Sequence, residues 1–307
     1  SADGSNTPYR TLVSYKDGSL APSGAGEHYG CYSTSTTTKC DPEPGVWTGL
    51  WRDGCGFSPA LDACAPENAL SGSISWKNST GSINVPASDG QMRFWRNTAI
   101  ATQPEGAQAV LPAGTLGYEW NPEQFAASSP GGRIKLTTTN LDGDTHHLSL
   151  YRHASGALVF GAGTVQWMWG LDGNHDRYAS AEDSRMQQAT VNLLADMGVQ
   201  PAALQNDLTP AVASTDTAAP TSSIATPANG ASLQGLVTVT GSAADSGGGV
   251  VGGVEVSVDG GLTWHAADGR ASWSYRWTPA AFGPVAIKSR ATDDSGNIET
   301  PGIGVAV

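Results

Sequence analysis

The chain has 307 residues and a formal net charge of −12 at pH 7. No cluster of Lys or Arg can neutralise phosphates, so the composition excludes a nucleic-acid-binding protein, and the acidity argues against binding to an anionic membrane surface. The 39 glycines and 18 prolines indicate many turns and hence a mostly β protein. No apolar run approaches the roughly 20 residues of a membrane-spanning helix, so we expect no membrane insertion.

Short strands are predicted in the first half of the chain. Their signals are apolar runs bounded by turn residues and, in some segments, period-two alternation. The predicted strands are 9–16, 66–76, 91–96, 133–138 and 145–152, with a further apolar stretch at 107–120.

The four cysteines, Cys31, Cys40, Cys55 and Cys64, lie in sequence rich in Gly, Ser, Thr and Pro. Nearest-neighbour pairing would close two short loops, but three pairings are possible and the sequence does not choose among them. A zinc site is the alternative, although the spacing is wider than that of the usual zinc knuckles. We therefore expect disulfides and a secreted, extracellular protein.

Residues 157–199 read as one strand, a loop and one major helix. Short apolar runs bounded by turn signals predict a buried strand at 157–165, covered on both faces. Helical spacing of apolar residues predicts a helix that Ser180 and Asp183 begin and Gly198 ends. A strand followed by a helix indicates an α/β layer, yet no other stretch supplies further βα units.

The last third of the chain is uniformly β. Residues 201–222 are rich in Ala, Thr and Pro, which predicts an extended linker between domains at 1–200 and 223–307. Asp259-Gly260 predicts a tight hairpin turn with positive φ at both positions. Period-two spacing places Val254, Val256 and Val258 on one face, and Trp273, Tyr275 and Trp277 likewise. These features predict an immunoglobulin-like β-sandwich.

Two strings in this last domain carry a resemblance. PANGASLQGLVTVTGSAAD (227–245) and VEVSVDGGLTW (254–264) resemble the bacterial Ig-like domains of secreted proteins. The second string is also similar to the C-terminal domain of sulfite-oxidase-type molybdenum enzymes. The resemblance implies a spacer, docking or adhesion module.

The first 200 residues resemble the C-terminal region of the N,N-dimethylformamidase large (beta) subunit. Seven strings carry this resemblance: YRTLVSYK (9–16), WTGLWRD (47–53), PENALSG (66–72), MRFWRNT (92–98), LPAGTLGYEW (111–120), LYRHASGALVFGAGTVQWMWGLD (150–172) and RMQQATVNLLADMGV (185–199). The resemblance implies the C-terminal part of a class I glutamine-amidotransferase-like α/β domain that carries a β-rich insertion. It also implies an earlier half of that domain before residue 1, which we expect to be a separate chain partnering this one along the strand edge at 157–165.

The resemblance implies amide hydrolysis with one iron held by two tyrosines and one glutamate. Phenolate and carboxylate are hard ligands suited to ferric iron, which would activate a water. Both tyrosines would lie before residue 1, so no cofactor is expected in this chain alone. The glutamate would precede Trp47, where this sequence has Val46, and the nearest carboxylate is Glu43. Glu43 is thus a candidate metal ligand, and Val46 argues against activity.

Four further residues are catalytic candidates: Arg52, Asp53, Glu119 and His147. Arg52 and Asp53 would orient substrate or form a structural salt bridge. Glu119 lies between two aromatic residues, where burial would raise its pKa and make it a general base, or it faces water.

Two more polar segments are candidate sites. His146 and His147 are adjacent on a strand and cannot chelate one metal together, so we expect one to face the core and the other to be exposed. The oxygen-rich loop containing Asp172, Asn174, His175 and Asp176 is a further site candidate, because it lies between the strand at 157–165 and the following helix.

Two function classes therefore remain. The first is the C-terminal portion of a secreted amide-hydrolase-like protein acting on C–N bonds of a small amide, inactive as an isolated chain. The second is a non-catalytic extracellular binding or adhesion protein. Exposed tryptophans could hold a carbohydrate, whereas buried ones would only pack the core.

Overall fold

The computed structural model describes residues 67–74, 77–124, 128–176, 182–280 and 282–307, and the backbone of two strands at 31–33 and 38–40. It divides the chain into two compact units, residues 1–67 and 68–307. Several predicted features lie outside the described residues: the strand at 9–16, Glu43, Val46, Arg52, Asp53, Cys55, Cys64 and Ser180.

The first unit contains one described hairpin. Strand β1 (Cys31–Ser33) pairs antiparallel with β2 (Thr38–Cys40), and Cys31 lies directly opposite Cys40.

The second unit begins with short strands and helices around one core. The helical elements are α1 (Asn68–Ser71), α2 (Ala87–Gly90), α3 (Ser184–Asp196) and 3₁₀ helices at Arg93–Trp95, Ala99–Thr102 and Trp167–Gly170. The strands are β3 (Lys77–Asn78), β4 (Asn84–Pro86), β5 (Gln108–Val110), β6 (Glu119–Trp120), β7 (Ile134–Lys135), β8 (Thr139–Leu141), β9 (Asp144–His146), β10 (Ser149–Arg152) and β11 (Leu158–Gly161).

These strands pair antiparallel throughout the described residues. The largest sheet has the order β11-β10-β7, and three two-stranded sheets pair β3 with β6, β4 with β5, and β8 with β9. The sequence predicted a tight turn with positive φ at both central residues at Asp259-Gly260. Such a turn occurs instead between β8 and β9, where φ is +52° at Asp142 and +82° at Gly143. The mostly β prediction is confirmed, and we find no parallel pair in the described part of the chain.

Two predicted strands are wrong. Residues 66–76 contain helix α1, and residues 91–96 contain a 3₁₀ helix. Phe94 and Trp95 are adjacent, and both are almost fully buried, which a strand with one buried face would not allow. The 3₁₀ turn puts both rings into the core, where the Trp95 indole donates to the carbonyl of Leu136 at 2.9 Å.

The segment 157–199 departs from its prediction in two places. Strand β11 is an edge strand, and its residues Leu158 to Phe160 are half-buried rather than covered on both faces. Helix α3 begins one residue after Asp183, whose carboxylate caps the helix by accepting from the Arg185 amide at 2.8 Å. The predicted C-terminal glycine is present, because Gly198 has a φ of +79°.

The C-terminal region is a β-sandwich of two sheets. Val254 and Val256 of one sheet and Trp273 of the other are buried in a shared core, as the alternation predicted. The sheet orders are β12-β13-β17-β16 and β15-β14-β18-β19. The strands are β12 (Thr221–Thr226), β13 (Val237–Ala244), β14 (Val251–Ser257), β15 (His265–Ala266), β16 (Asp268–Gly269), β17 (Ser272–Trp277), β18 (Ala286–Asp293) and β19 (Val305–Ala306).

The predicted tight turn at Asp259-Gly260 is wrong. The loop between β14 and β15 is longer than two residues, and positive φ occurs at Gly260 and Gly261 rather than at Asp259. The Asp259 carboxylate accepts from the amides of Leu262 and Thr263, each at 3.0 Å. Burial opposes ionisation, but these bonds and those from the Thr263 and Ser257 hydroxyls together hold the pKa of Asp259 well below its usual range.

Residues 201–220 contain no helix or strand, yet they pack on helix α3. Ala211 is buried with Val191 and Ala195. Gln188 of the helix donates to the Thr209 carbonyl at 2.9 Å and accepts from the Thr209 amide at 2.7 Å. This connecting segment is therefore fixed to the region before it.

The sandwich is docked on the region before residue 201 within the second unit. Asp294 accepts from the Arg93 amide at 2.7 Å, and Arg152 donates to the Ser295 carbonyl at 2.8 Å. Arg270 reaches Asp89 at 2.8 Å. Among the described helices, none is both long and apolar enough to cross a membrane.

Candidate functional site

Polar side chains converge on Glu123, which follows β6. Its carboxylate accepts from Arg133, from Lys135 at 3.0 Å and from Nε2 of His147 at 3.0 Å. The other ring nitrogen of His147 lies 2.6 Å from the carbonyl oxygen of Thr137. We call Glu123, Arg133, Lys135 and His147 the Glu123 cluster.

The electrostatics of the Glu123 cluster keep the carboxylate charged. Burial opposes ionisation, but the His147 hydrogen bond and the charges of Lys135, His147 and Arg133 hold the pKa of Glu123 well below its usual range. Both ring nitrogens of His147 lie within hydrogen-bonding distance of oxygen atoms, Nε2 of the Glu123 carboxylate and Nδ1 of the Thr137 carbonyl. The Glu123 carboxylate accepts three side-chain hydrogen bonds, and the cluster ties β6 to β7 and β10.

His146 is also buried, which overturns the expectation that one of the two histidines is exposed. His146 is fully buried and His147 is 8% exposed. The chain leaves β9 at His146 and enters β10 at Ser149, so the strand alternation on which the expectation depended ends between the two rings.

The His146 ring is held without a charged partner. Its Nε2 lies 3.0 Å from the Ala162 carbonyl, and its ring meets Trp120 edge-on with centroids 6.1 Å apart. Burial lowers the pKa of His146 to about 4, so the ring is neutral at pH 7. Its Nδ1 is buried and has no hydrogen-bond partner among the described residues.

Glu119 lies at the start of β6 and is half-buried. Its neighbour Tyr118 is 40% exposed, whereas Trp120 is 1% exposed. Among the described residues its carboxylate has no hydrogen bond or ion pair, and it is not brought into contact with His147. Its role as a general base stays a prediction.

The loop at 172–176 is mostly exposed. Asp172 accepts from the Asn174 amide at 2.8 Å, which is an ordinary Asx turn. His175 stacks on Trp169 with ring centroids 4.4 Å apart. The loop does not form a converging set of three metal-binding side chains in the described structure.

The described tryptophans of the first 200 residues pack the core rather than form a flat exposed platform. Trp95, Trp120 and Trp169 are at most 5% exposed, and Trp167 is half-buried against Phe160. Trp47, Trp51 and Trp76 lie outside the described side chains.

Sequence reasoning missed two charged groups. Asp196 of α3 binds Arg93 at 2.7 Å and Arg96 at 3.0 Å. Asp216, Asp245 and Asp293 come together from three separate segments. The only sequence signal for the second group is that Asp245 and Asp293 lie in glycine-containing turns, GSAADSGGG and DDSGN.

Two family models match this chain. Residues 2–180 match the family described as N,N-dimethylformamidase beta subunit-like, C-terminal. The chain belongs to this family. Residues 220–287 match a bacterial Ig domain, which agrees with the sandwich and with the predicted order of the two parts.

Comparisons with individual proteins add little to the family assignment. No curated protein matches the chain. Among solved structures, the fibronectin(III)-like modules of Clostridium thermocellum CbhA match with 26% identity and a TM-score of 0.23, covering 27% of this chain and 89% of that one.

The match to the dimethylformamidase-like family includes the whole Glu123 cluster. It also includes Glu43, Arg52 and Asp53, whose geometry lies outside the described residues. In the described part of the family region, the side chains of the Glu123 cluster bind one another and do not form an open acid–base pair.

Proposed function

We propose that this chain is the C-terminal portion of a secreted amide hydrolase of the N,N-dimethylformamidase type, and that it is inactive on its own. The family match over residues 2–180 carries the proposal. The hydrogen bonds of Glu123 and His147 support the second part, because these groups bind one another and neighbouring protein groups rather than facing an open substrate site.

The same proposal includes the fold of the complete enzyme. A class I glutamine-amidotransferase-like domain needs parallel strands, and the described strands pair antiparallel. We therefore assign β3 to β10, residues 77–152, to the β-rich insertion, and β11 with α3 to the rim of the α/β domain. β11 lies at the edge of its sheet in the described part of the chain, and the preceding part of the precursor, as a separate chain, would pair along Leu158–Gly161.

We expect the described residues not to hold the iron, for which two tyrosines and one glutamate would be needed. The Tyr151 hydroxyl donates to the Leu70 carbonyl at 2.8 Å, and Tyr275 belongs to the sandwich. Tyr118, the remaining tyrosine with a described side chain, is 40% exposed. Glu123 is already bound by Arg133, Lys135 and His147.

The test compares the complete precursor with the 307-residue chain. We expect the precursor to contain about one iron per molecule and to release amine from N,N-dimethylformamide, and the 307-residue chain to do neither. In the precursor, Asp53→Asn should lower kcat/KM on the order of 10²-fold if this residue orients substrate. The exposed His153→Gln is the control and should leave the rate unchanged.

Two outcomes contradict the proposal. Hydrolysis by the 307-residue chain at the precursor's rate would show that this chain is sufficient. A precursor without iron and without turnover on any small amide would favour the extracellular binding protein, which a glycan array then tests.

The hairpin register predicts a Cys31–Cys40 disulfide, which an extracellular setting would allow. Directly opposed residues of antiparallel strands have Cα atoms about 4.5–5.5 Å apart, within the range that a disulfide spans. Non-reducing peptide mapping should recover Cys31 linked to Cys40, and Cys55 linked to Cys64. Recovery of Cys31 linked to Cys55 or Cys64, or of four alkylatable thiols, would refute this pairing.

A further inference from the structure

Three aspartates from distant segments meet at one end of the sandwich. Asp216 lies in the segment before β12, Asp245 follows β13, and Asp293 ends β18. One carboxylate oxygen of each lies within 4.8 Å of the others. We call these residues the aspartate triad.

Two oxygens of the aspartate triad are buried without a partner. Oδ2 of Asp216 and Oδ1 of Asp245 each expose less than 1 Å² and have no hydrogen-bond partner among the described residues. A buried carboxylate oxygen left without a donor is costly, so such an atom indicates a missing partner. Asp293, the third member, is fully buried.

Backbone amides hold the remaining oxygens in place. Oδ1 of Asp216 accepts from the Ala218 amide at 2.9 Å, and Oδ2 of Asp245 accepts from the Gly249 amide at 3.0 Å. Asp293 accepts from the Asn297 amide at 2.8 Å. These bonds fix each side chain, so that Asp216 and Asp245 each keep one oxygen free.

Glycine allows the carboxylates to come this close. A Cβ on Gly249 would lie 2.6 Å from Oδ1 of Asp294 and 3.1 Å from Oδ2 of Asp216, and a Cβ on Gly247 would lie 1.9 Å from Oδ1 of Asp216. Any other residue at these two positions would push the acidic side chains apart.

The negative charge of the triad is not neutralised by the described side chains. None of its three carboxylates forms an ion pair with a described Lys or Arg. The neighbouring cation is Arg93, whose guanidinium is engaged by Asp196 at 2.7 Å.

We propose that Asp216, Asp245 and Asp293 bind one Ca²⁺ ion. The ligands are all oxygens on turns and loops, which suits a hard cation with flexible geometry, and the triad lacks the His or Cys ligands that zinc prefers. Mg²⁺ is less suited because it keeps several of its waters, whereas these carboxylates lie in a mostly buried site.

Calcium at the triad would tie three segments together. It would join the connecting segment to the ends of β13 and β18, beside Asp294, which accepts from Arg93 of the preceding region. The site would therefore strengthen the docking of the sandwich. This inference is independent of the proposed amide hydrolysis.

The test is calcium titration of the 307-residue chain after treatment with a chelator. Calorimetry should show one Ca²⁺ per chain with a Kd on the order of 10⁻⁴ M, as in extracellular calcium modules, and at least 10-fold weaker binding of Mg²⁺. The Tm should rise by several degrees with saturating CaCl₂, and equal NaCl ionic strength should not reproduce the rise.

The Asp245→Asn variant tests whether the Asp245 carboxylate binds a metal ion or only stabilises the fold. Asparagine keeps an oxygen for the Gly249 amide but removes the charge, so the variant should keep its Tm in chelator and weaken Ca²⁺ binding at least 10-fold. Asp216→Asn gives a second, independent variant. Asp268→Asn, on exposed β16 of the same sandwich, is the matched control and should bind Ca²⁺ like the wild type.

Three results would overturn the proposal. They are the absence of a heat or Tm response to CaCl₂ in the wild type, an unchanged Ca²⁺ affinity in both Asp245→Asn and Asp216→Asn, and an equal loss of affinity in Asp268→Asn.

Discussion

Replacing Arg270 with alanine is expected to lower the free energy of unfolding by about 3 kcal/mol, because it leaves a buried carboxylate without its cation. Arg270 joins the sandwich to the preceding region. Its guanidinium donates to Asp89 at 2.8 Å, to the Lys135 carbonyl at 2.8 Å and to the Ser88 carbonyl at 3.0 Å. Asp89 is only 4% exposed and would keep a single side-chain partner, the Thr138 hydroxyl at 2.8 Å.

Urea denaturation of the wild type and the variant measures this effect. Arg276→Ala is the matched control, because Arg276 is exposed on β17 and has no ion pair with a described residue, so a change below about 0.5 kcal/mol is expected. Asp89→Asn in the Arg270→Ala background should restore part of the loss by removing the unpaired charge. A loss in Arg270→Ala no larger than in Arg276→Ala would show that this contact does not hold the sandwich in place.

Acidification from pH 6.5 to pH 4 is expected to destabilise the protein by about 3 kcal/mol through His146 alone. The pKa of His146 is about 4 in the folded chain and 6.5 as a model value. Between these values the unfolded chain binds a proton that the folded chain does not, so stability falls as the pH falls. Above 6.5 both states are neutral and below 4 both are protonated, so His146 contributes no slope outside this window.

His146→Gln tests the assignment. Glutamine has no proton to gain, so the variant should lose the part of the pH dependence between pH 6.5 and 4 that His146 contributes, whatever its stability at pH 7. His153→Gln, an exposed histidine on the following turn, should retain the wild-type profile. If His146→Gln shows the full wild-type slope in urea denaturation at pH 6.5, 5.5 and 4.5, a different group is responsible.

The parts of the fold that were predictable have local signals. Alternation at Val254 and Val256 identified a buried face because strand side chains alternate whatever the strand packs against. The end of α3 was visible at Gly198, where a positive φ favours glycine. The strand prediction for residues 91–96 is wrong because the adjacent rings of Phe94 and Trp95 are both buried in the core.

For the candidate sites, too, the sequence predicted what has a local signal and missed what depends on distant residues. His147 was singled out from the sequence, but its environment is built by Glu123, Arg133 and Lys135, which lie at different distances along the chain. The sequence does not encode such convergence locally. It therefore offered no means of telling a hydrogen-bonded histidine from a free one.

By itself, the sequence determined that the protein is mostly β, that an Ig-like domain follows a dimethylformamidase-like region, and that the chain is strongly acidic. These properties follow from composition, periodicity and family-specific strings. Only the tertiary structure decided that the sandwich is docked, that both His146 and His147 are buried, and that Asp216, Asp245 and Asp293 meet. The physical reason is that burial and carboxylate convergence depend on which distant segments pack together, and packing of this kind leaves no periodic pattern in the sequence.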